Sequence, residues 1–265
     1  MEPAFRILYE DNHLISVVKP AGILSQSDGS GAPDMVTELG KFVAARYGKP
    51  GRAFIGLVHR LDRNVGGAMV FARTSKGASR ASEDMRNGMF YKGYFALTAG
   101  GKLPGDSGFL TDRLLKDERS NTVRAARKGE EGARDCLLYY KKVCEVEKPG
   151  PVYFAVPVTG RSHQIRAQFA LAGAPLKGDL KYGGERNGRP GENGFEIGLW
   201  SACVSLRKTV DRNERITLTA LPEGRIWEDG EGKLPEILNG FLNSGSFMND
   251  FADIFALKGQ MHGQI

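Results

Sequence analysis

A histidine, two arginines and an aspartate crowd into one short stretch, His59-Arg60-Leu61-Asp62-Arg63. A carboxylate between two guanidinium groups stays ionised, because adjacent positive charge favours its charged form. An ionised Asp beside apolar walls can act as nucleophile or base. Such walls are at hand. Phe54, Ile55, Leu57 and Val58 precede the polar centre, and Ala68 to Ala72 follow it as a run that fits a buried strand. Between them, Gly66-Gly67 allows a sharp turn or a close backbone approach to a ligand. The same residues also fit an exposed charged turn, and the stretch alone leaves both readings open.

A second chemical cluster lies in Thr159-Gly160-Arg161-Ser162-His163-Gln164-Ile165-Arg166. The pattern predicts a helix with Ser162 as N-cap, an apolar face of Ile165, Phe169 and Ala172, and Gly173 as its stop. Arg161, His163 and Arg166 then gather at a helix start, where the macrodipole is already positive. They ask for an anion, with a phosphate and the Asp62 carboxylate as candidates, or else they face water. A third cluster, Arg119, Arg124, Arg127 and Lys128, contains no acid and suits contacts to phosphates. Glu130-Glu131 follow at once, so a solvated charged hairpin is the competing reading. The histidines (His13, His59, His163, His262) and cysteines (Cys136, Cys144, Cys203) show neither HExxH nor CxxC spacing, and no metal site is expected.

Several elements must position these groups. Phe5 to Tyr9 and Leu14 to Val18 read as a hairpin turned at Asp11-Asn12, closed by Lys19-Pro20-Ala21-Gly22. Met35, Leu39, Phe42, Val43 and Arg46 recur at helical spacing, with Gly48 placed for a C-terminal cap. Thr74 or Ser75 can cap a helix that stops at Gly88. Phe90 to Leu97, Cys136 to Val146, Val152 to Val158, Ile197 to Leu206 and Arg215 to Ala220 read as strands. Tyr91 and Tyr94, an odd number apart, are expected on opposite faces of their strand. Gly100 to Gly108 reads as a turn-rich connection, and Lys177 to Gly184, continued by Glu185 to Gly194, as a glycine-punctuated loop. Residues 1–234 are expected to form one catalytic domain and 235–265 a C-terminal tail, in which Phe241, Phe247, Phe251, Ile254, Phe255 and Leu257 suit an amphipathic helix.

The balance of the 265 residues fits these elements. Hydrophobic content of 41% and charged content of 26% suit a globular chain with a core, and no apolar run is long enough to span a bilayer. A net charge of +6 and a pI near 9.2 suit a polyanionic partner. No signal-peptide pattern opens the chain, and the odd cysteine count favours a reducing cytoplasm.

In order, Lys19-Pro20-Ala21-Gly22, His59-Arg60-Leu61-Asp62, Lys92-Gly93-Tyr94-Phe95-Ala96-Leu97, Thr159 to Arg166 and Gly178-Asp179-Leu180-Lys181-Tyr182-Gly183 resemble the motifs of the RluA-type RNA pseudouridine synthases. The resemblance covers roughly Phe5 to Pro222. It implies an α+β fold built on a large mixed, mostly antiparallel sheet, with helices and loops flanking a central catalytic cleft. It further implies isomerisation of uridine to pseudouridine in structured RNA, ribosomal or transfer, without cofactor or metal. Asp62 matches the catalytic residue of that family. Tyr94 matches the tyrosine beside the uracil, and Arg166 the partner of the carboxylate. Arg60 matches the residue that holds the flipped nucleotide out, and Ile165 the apolar neighbour of the base. His59, Arg161 and His163 lie in the same motifs as substrate-contacting candidates. RNA is the implied partner of a monomer that does not bind membranes.

The chain departs from the family at Val65-Gly66-Gly67, where Thr-Ser-Gly is usual. Ser162 replaces a frequent Thr, Gln168 a frequent His, and Trp200 stands where a His is common. The small S4 RNA-binding domain of many relatives is not expected before Phe5, which assigns RNA recognition to the catalytic domain's own loops. Two rival functions remain: a carboxylate-based nucleoside hydrolase, which needs a second cleft carboxylate, with Asp179 the one candidate in a motif, and a non-catalytic RNA-binding homologue.

Overall fold

The computed structural model describes residues 5–146, 150–184, 196–228, 232–249, 251 and 253–254. It falls into two compact units, Met1–Lys92 with Trp200–Pro222, and Gly93–Leu199 with Glu223–Ile265.

In the first unit, β1 (Arg6–Glu10) and β2 (Leu14–Lys19) form the expected hairpin. The Asp11 carboxylate fixes its turn by accepting from the amides of His13 and Leu14, each at 2.7 Å. β2 pairs antiparallel with β4 (Gly66–Ala72), which runs parallel to β10 (Leu199–Arg207); β10 then pairs antiparallel with β11 (Arg215–Thr219). The two-residue β3 (Gly56–Leu57) lies antiparallel to the end of β4. All of β4 is buried, as its uninterrupted apolar run requires. Helix α1 (Met35–Arg46) starts where the Asp34 carboxylate accepts from the Thr37 amide, and it buries Met35, Leu39 and Val43. Helix α2 (Ser75–Arg86) is capped by Thr74 and buries Asp84 against Arg207 and Arg212.

In the second unit, antiparallel strands follow the order β5 (Tyr91–Leu97), β9 (Pro151–Pro157), β8 (Arg134–Glu145), β6 (Ser107–Asp117), β7 (Thr122–Ala125), with the first residues of β5 belonging to the first unit. Helix α3 (Gln164–Leu171) packs on β6 to β9 through Ala167, which joins Leu114, Val123 and Cys136 in one apolar cluster. Helix α4 (Leu234–Asn243) belongs to this unit. Its Phe241 ring meets Phe95 and Phe154 at centroid distances of 5.9 and 5.1 Å.

The fold is α+β on a mixed, mostly antiparallel sheet, as the motifs implied. Two details differ from the sequence reading. β6 occupies residues 107–117, where the pattern gave no strand, because its apolar side chains do not alternate cleanly. α4 ends at Asn243, and Gly245 at φ 66° separates it from the buried Phe247, Phe251 and Ile254. Phe255 and Leu257 of the expected helix lie outside the described residues, as do Glu185 to Gly194 of the expected loop.

Candidate active site

The loop carrying Asp62 runs between β3 and β4, and its backbone is strapped down by the segment after β2. The Ser25 hydroxyl donates to the carbonyl of Leu61 at 2.7 Å and accepts from the Leu61 amide at 3.0 Å. Both peptide groups of the residue before Asp62 are thereby fixed by one side chain. The Gly22 amide donates to the Arg63 carbonyl at 2.7 Å, and Arg63 Nε returns a bond to the Gly22 carbonyl at 2.9 Å. Below them lies Lys19, wholly buried, with Nζ donating to the carbonyls of Pro20, Ile23 and Arg63 at 2.8, 2.7 and 3.3 Å.

Burial pushes the Lys19 amine down to about 7, against the opposing pull of the Asp62 carboxylate. Three carbonyl acceptors call for three protons, which only the ammonium form supplies. The positive charge set beneath the Asp62 loop is therefore that of Lys19, which the sequence reading treated only as part of a turn. Arg63 is occupied with Gly22, and Arg60 is exposed. Asp62 itself is half-buried.

His59 is enclosed at 5% exposure, with Nε2 accepting from the Val70 amide at 3.1 Å and its ring 5.3 Å from that of Phe90. Burial, reinforced by the charge of Lys92, lowers it to about 3, so the ring is neutral. The structure places it as an acceptor that pins β4, where the sequence had set it among substrate contacts.

The unusual residues after the loop explain one another. Trp200 stands opposite Gly66 in the β4–β10 register, and a Cβ on Gly66 would come within 2.9 Å of Trp200 Cε3 and closer still to Cζ3. Gly67, at φ 119°, leaves no room for a Cβ, which would lie 2.6 Å from the Ser201 amide nitrogen. The indole of Trp200 is anchored by Nε1 donating to the Ala220 carbonyl at 3.0 Å. Two of the departures from the family pattern, Gly66 and Trp200, thus form one packed pair.

In the second unit, the expected cap is not Ser162. The first residue flanking α3 is His163, in the left-handed region at φ 49° with no side-chain cap bond. Gln164, the first residue of α3, ties down the incoming chain: its Oε1 accepts from the Arg161 amide at 3.0 Å and from the Thr159 hydroxyl at 2.9 Å. The anion that the cationic helix start asked for includes Asp179, whose carboxylate takes Arg166 Nε and Nη2 at 2.7 Å each. Both side chains are buried, at 6% and 1% exposure. The sequence reading offered Asp179 only as the candidate second carboxylate of a hydrolase; the signal for this pair was an acid in a motif downstream of a helix start holding three cations and no acid.

Tyr182 completes this half. Its hydroxyl accepts from the Val123 amide at 2.8 Å and lies 2.8 Å from His163 Nδ1, while the Arg166 guanidinium sits 5.1 Å from its ring centroid. The loop 178–184 thus ties α3 to the β6–β7 hairpin. Tyr94 is buried at 6% exposure on β5 opposite Ala155, Ile165 is buried at 6% in the first turn of α3, and Arg161 is exposed.

The hairpin bears Arg119 and Arg124, and the turn after β7 bears Arg127 and Lys128, all exposed. Arg124 forms a two-point ion pair with Glu130, and the Arg127 amide also donates to Glu130. One of the four cations is thereby neutralised in place, and Glu130 is held at about 2, chiefly by its bond to Arg124. Among the described residues, no group of three or more His, Cys, Asp or Glu side chains is arranged to hold a metal, and no helix is long and apolar enough to cross a membrane.

The family profile described as RNA pseudouridylate synthase matches residues 13–171. The chain belongs to the RNA pseudouridylate synthase family. The match takes in the Asp62 loop, Tyr94 and the first turns of α3, and it agrees with the RluA-type motifs. The chain is 34% identical over 178 residues to the ribosomal large subunit pseudouridine synthase C of Pasteurella multocida (strain Pm70), covering 67% of this chain and 52% of that protein. It is 32% identical over 180 residues to the uncharacterized RNA pseudouridine synthase YhcT of Bacillus subtilis (strain 168), covering 67% and 57%. The chain therefore spans about half the length of these curated relatives. The fold is shared with human RNA pseudouridylate synthase domain containing 4, at TM-score 0.67 and 18% identity over 88% of this chain and 93% of that one. It is shared too with domain containing 1, at TM-score 0.61 and 21% identity over 90% and 98%.

Proposed function

We propose that this protein isomerises uridine to pseudouridine in RNA, with Asp62 as the attacking carboxylate. The observation that carries the reading is the strapped loop around Asp62, in a chain of this family, with both peptide groups of Leu61 fixed by Ser25. A carboxylate whose backbone cannot shift keeps its approach to the sugar without loss of orientation.

The reaction needs no co-reactant. The C1′–N1 bond breaks, the uracil turns, C1′ joins C5, the C5 proton leaves and N1 gains one. Cleavage develops positive charge on the ribose, which Asp62 traps or stabilises. Arg60 takes the space of the flipped base, which offsets part of an unstacking cost of a few kcal/mol. Tyr94 and Ile165 wall the uracil so that it turns without escaping. The Arg166 guanidinium is oriented by Asp179. Arg161 and His163 hold the flanking nucleotide, and Arg119, Arg127 and Lys128 meet phosphates.

The hydrolase alternative needs a second carboxylate free to move a proton. Asp179, the candidate in a motif, is 1% exposed and engaged at both oxygens by Arg166, which supports isomerisation over hydrolysis. Several relatives are ribosomal large subunit pseudouridine synthases, which supports large-subunit ribosomal RNA as the substrate class. The test is tritium release from RNA labelled at uridine C5, with pseudouridine mapped across ribosomal and transfer RNA from cells with and without the gene. Release of free uracil, or no change in any map, would overturn the proposal.

A further inference from the structure

We propose that the end of α1 and the loop after it, residues 41–54, form a second RNA-binding surface, one that takes a single-stranded stretch of RNA by phosphate contacts and base stacking. The choice of RNA as occupant rests on the function proposed above.

From Leu39 to Leu61 the chain contains no Asp or Glu, while it carries Lys41, Arg46, Lys49, Arg52 and Arg60. This acid-free run is longer than that from Arg119 to Gly129, and its cations are spread through a helix and a glycine turn. Every residue from 45 to 52 is exposed. Tyr47 at 48% and Phe54 at 55% are among the large hydrophobic side chains left open to solvent. Interleaved cations and exposed aromatic rings are the composition that binds single strands, since every base has a face to stack and every nucleotide a phosphate.

Nearby acids do not cancel the charge. Glu38 pairs with Lys41 at 2.8 Å, and Glu10 is shared by Arg46 at 3.2 Å and Arg73 at 3.0 Å. Lys49 and Arg52 have no acidic partner among the described residues; Arg52 donates only to the Thr37 hydroxyl, at 3.1 Å. The partial negative charge of the helix end is offset by Arg46 in the last turn.

The surface is also pre-formed. Gly48 and Gly51, at φ 60° and 74°, let the chain reverse, and the Lys49 amide returns to the Ala44 carbonyl at 2.9 Å. The Ala53 amide then bonds the Gly40 carbonyl at 3.1 Å, where a Cβ on residue 40 would lie 3.2 Å from Ala53 O. The loop is thereby laid along the helix that precedes it. Arg73 holds the Tyr47 ring, 4.7 Å from its centroid, and the Tyr47 hydroxyl is tied to Glu10 at 2.8 Å. A ring already fixed loses little freedom on binding. From Phe54 the chain passes through β3 straight into His59-Arg60, so a strand lying here leads toward the Asp62 loop.

The test is fluorescence anisotropy with a short single-stranded RNA of mixed sequence and an RNA duplex of equal length, over a range of KCl. Lys49→Ala with Arg52→Ala should flatten the log–log salt dependence for the single strand by about 1.4, at about 0.7 per phosphate contact. Phe54→Ala should weaken single-strand binding roughly five- to a hundredfold, with the salt slope and duplex binding unchanged. All three side chains are exposed, and an unchanged thermal melt checks that each variant is folded. An unaltered slope together with unaltered affinity overturns the proposal, as does a wild-type protein that does not bind the single strand; an acidic protein surface would then be the occupant to seek. Failure of the function itself reads differently, as normal loss of binding in these variants with no tritium release by the wild type.

Discussion

Asp62 in the first unit and Arg166 in the second are held in contrasting ways. Around Asp62 the bonds go to the backbone: Ser25 to both peptide groups of Leu61, Lys19 and Gly22 to the Arg63 carbonyl. Around Arg166 the bonds go side chain to side chain, through a buried two-point pair with Asp179. The difference fits the work proposed for each. A nucleophile must keep its own oxygens available, so its position has to be set from beneath. A cation that acts by its field can be gripped directly, because its charge survives the grip.

The largest effect tests the first half of that contrast. Asp62→Asn leaves the backbone strap untouched, and we expect product formation to vanish while RNA binding and the melting temperature hold. Appreciable turnover by the folded variant would sink the role of nucleophile. Next is the second half. Asp179→Asn should leave the buried Arg166 charge uncompensated and destabilise the protein by about 3–5 kcal/mol in urea unfolding, since removing one partner of a buried pair strands the other. A cost near that of a surface pair would mean that the grip is weaker than its geometry.

A pH series sharpens the comparison from the Asp62 side. His59, adjoining that loop, titrates near 6.5 when unfolded and is lowered to about 3 by burial. Between those values the unfolded chain binds the extra proton, so stability rises with pH across the window and is lost as pH falls through it. The slope contributed is about 1.4 kcal/mol per pH unit. It should be absent from His59→Gln, and an unchanged slope in that variant would assign the acid sensitivity elsewhere. The smallest effect belongs to the strap. Ser25→Ala removes two buried hydrogen bonds at about 1–2 kcal/mol, and kcat should fall with KM little changed, because the loop and not the RNA contact is loosened. An equal change in both would place Ser25 in binding instead.

Much of this arrangement was legible in the residues. The hairpin, α1, α2 and most strands follow from apolar periodicity and glycine stops, and the family from five ordered motifs. What the sequence withheld is mostly long-range pairing. Nothing local shows that Ser25 reaches Leu61, that Asp179 reaches Arg166, or that Lys19 is enclosed under the Asp62 loop. A buried lysine looks in sequence like any surface lysine, because its partners are backbone carbonyls, which every residue possesses. The Ser162 cap was misread for a related reason: a helix start often takes a serine cap, and here the left-handed His163 occupies that place without a cap bond.

The Gly66–Trp200 contact couples two positions that lie far apart in the sequence. A Cβ at 66 would run into the indole, and the indole is anchored on the Ala220 carbonyl, so neither side can give way alone. Substitutions at 66 and 200 are therefore not additive: a side chain at 66 is costly beside the indole and cheap beside a smaller residue.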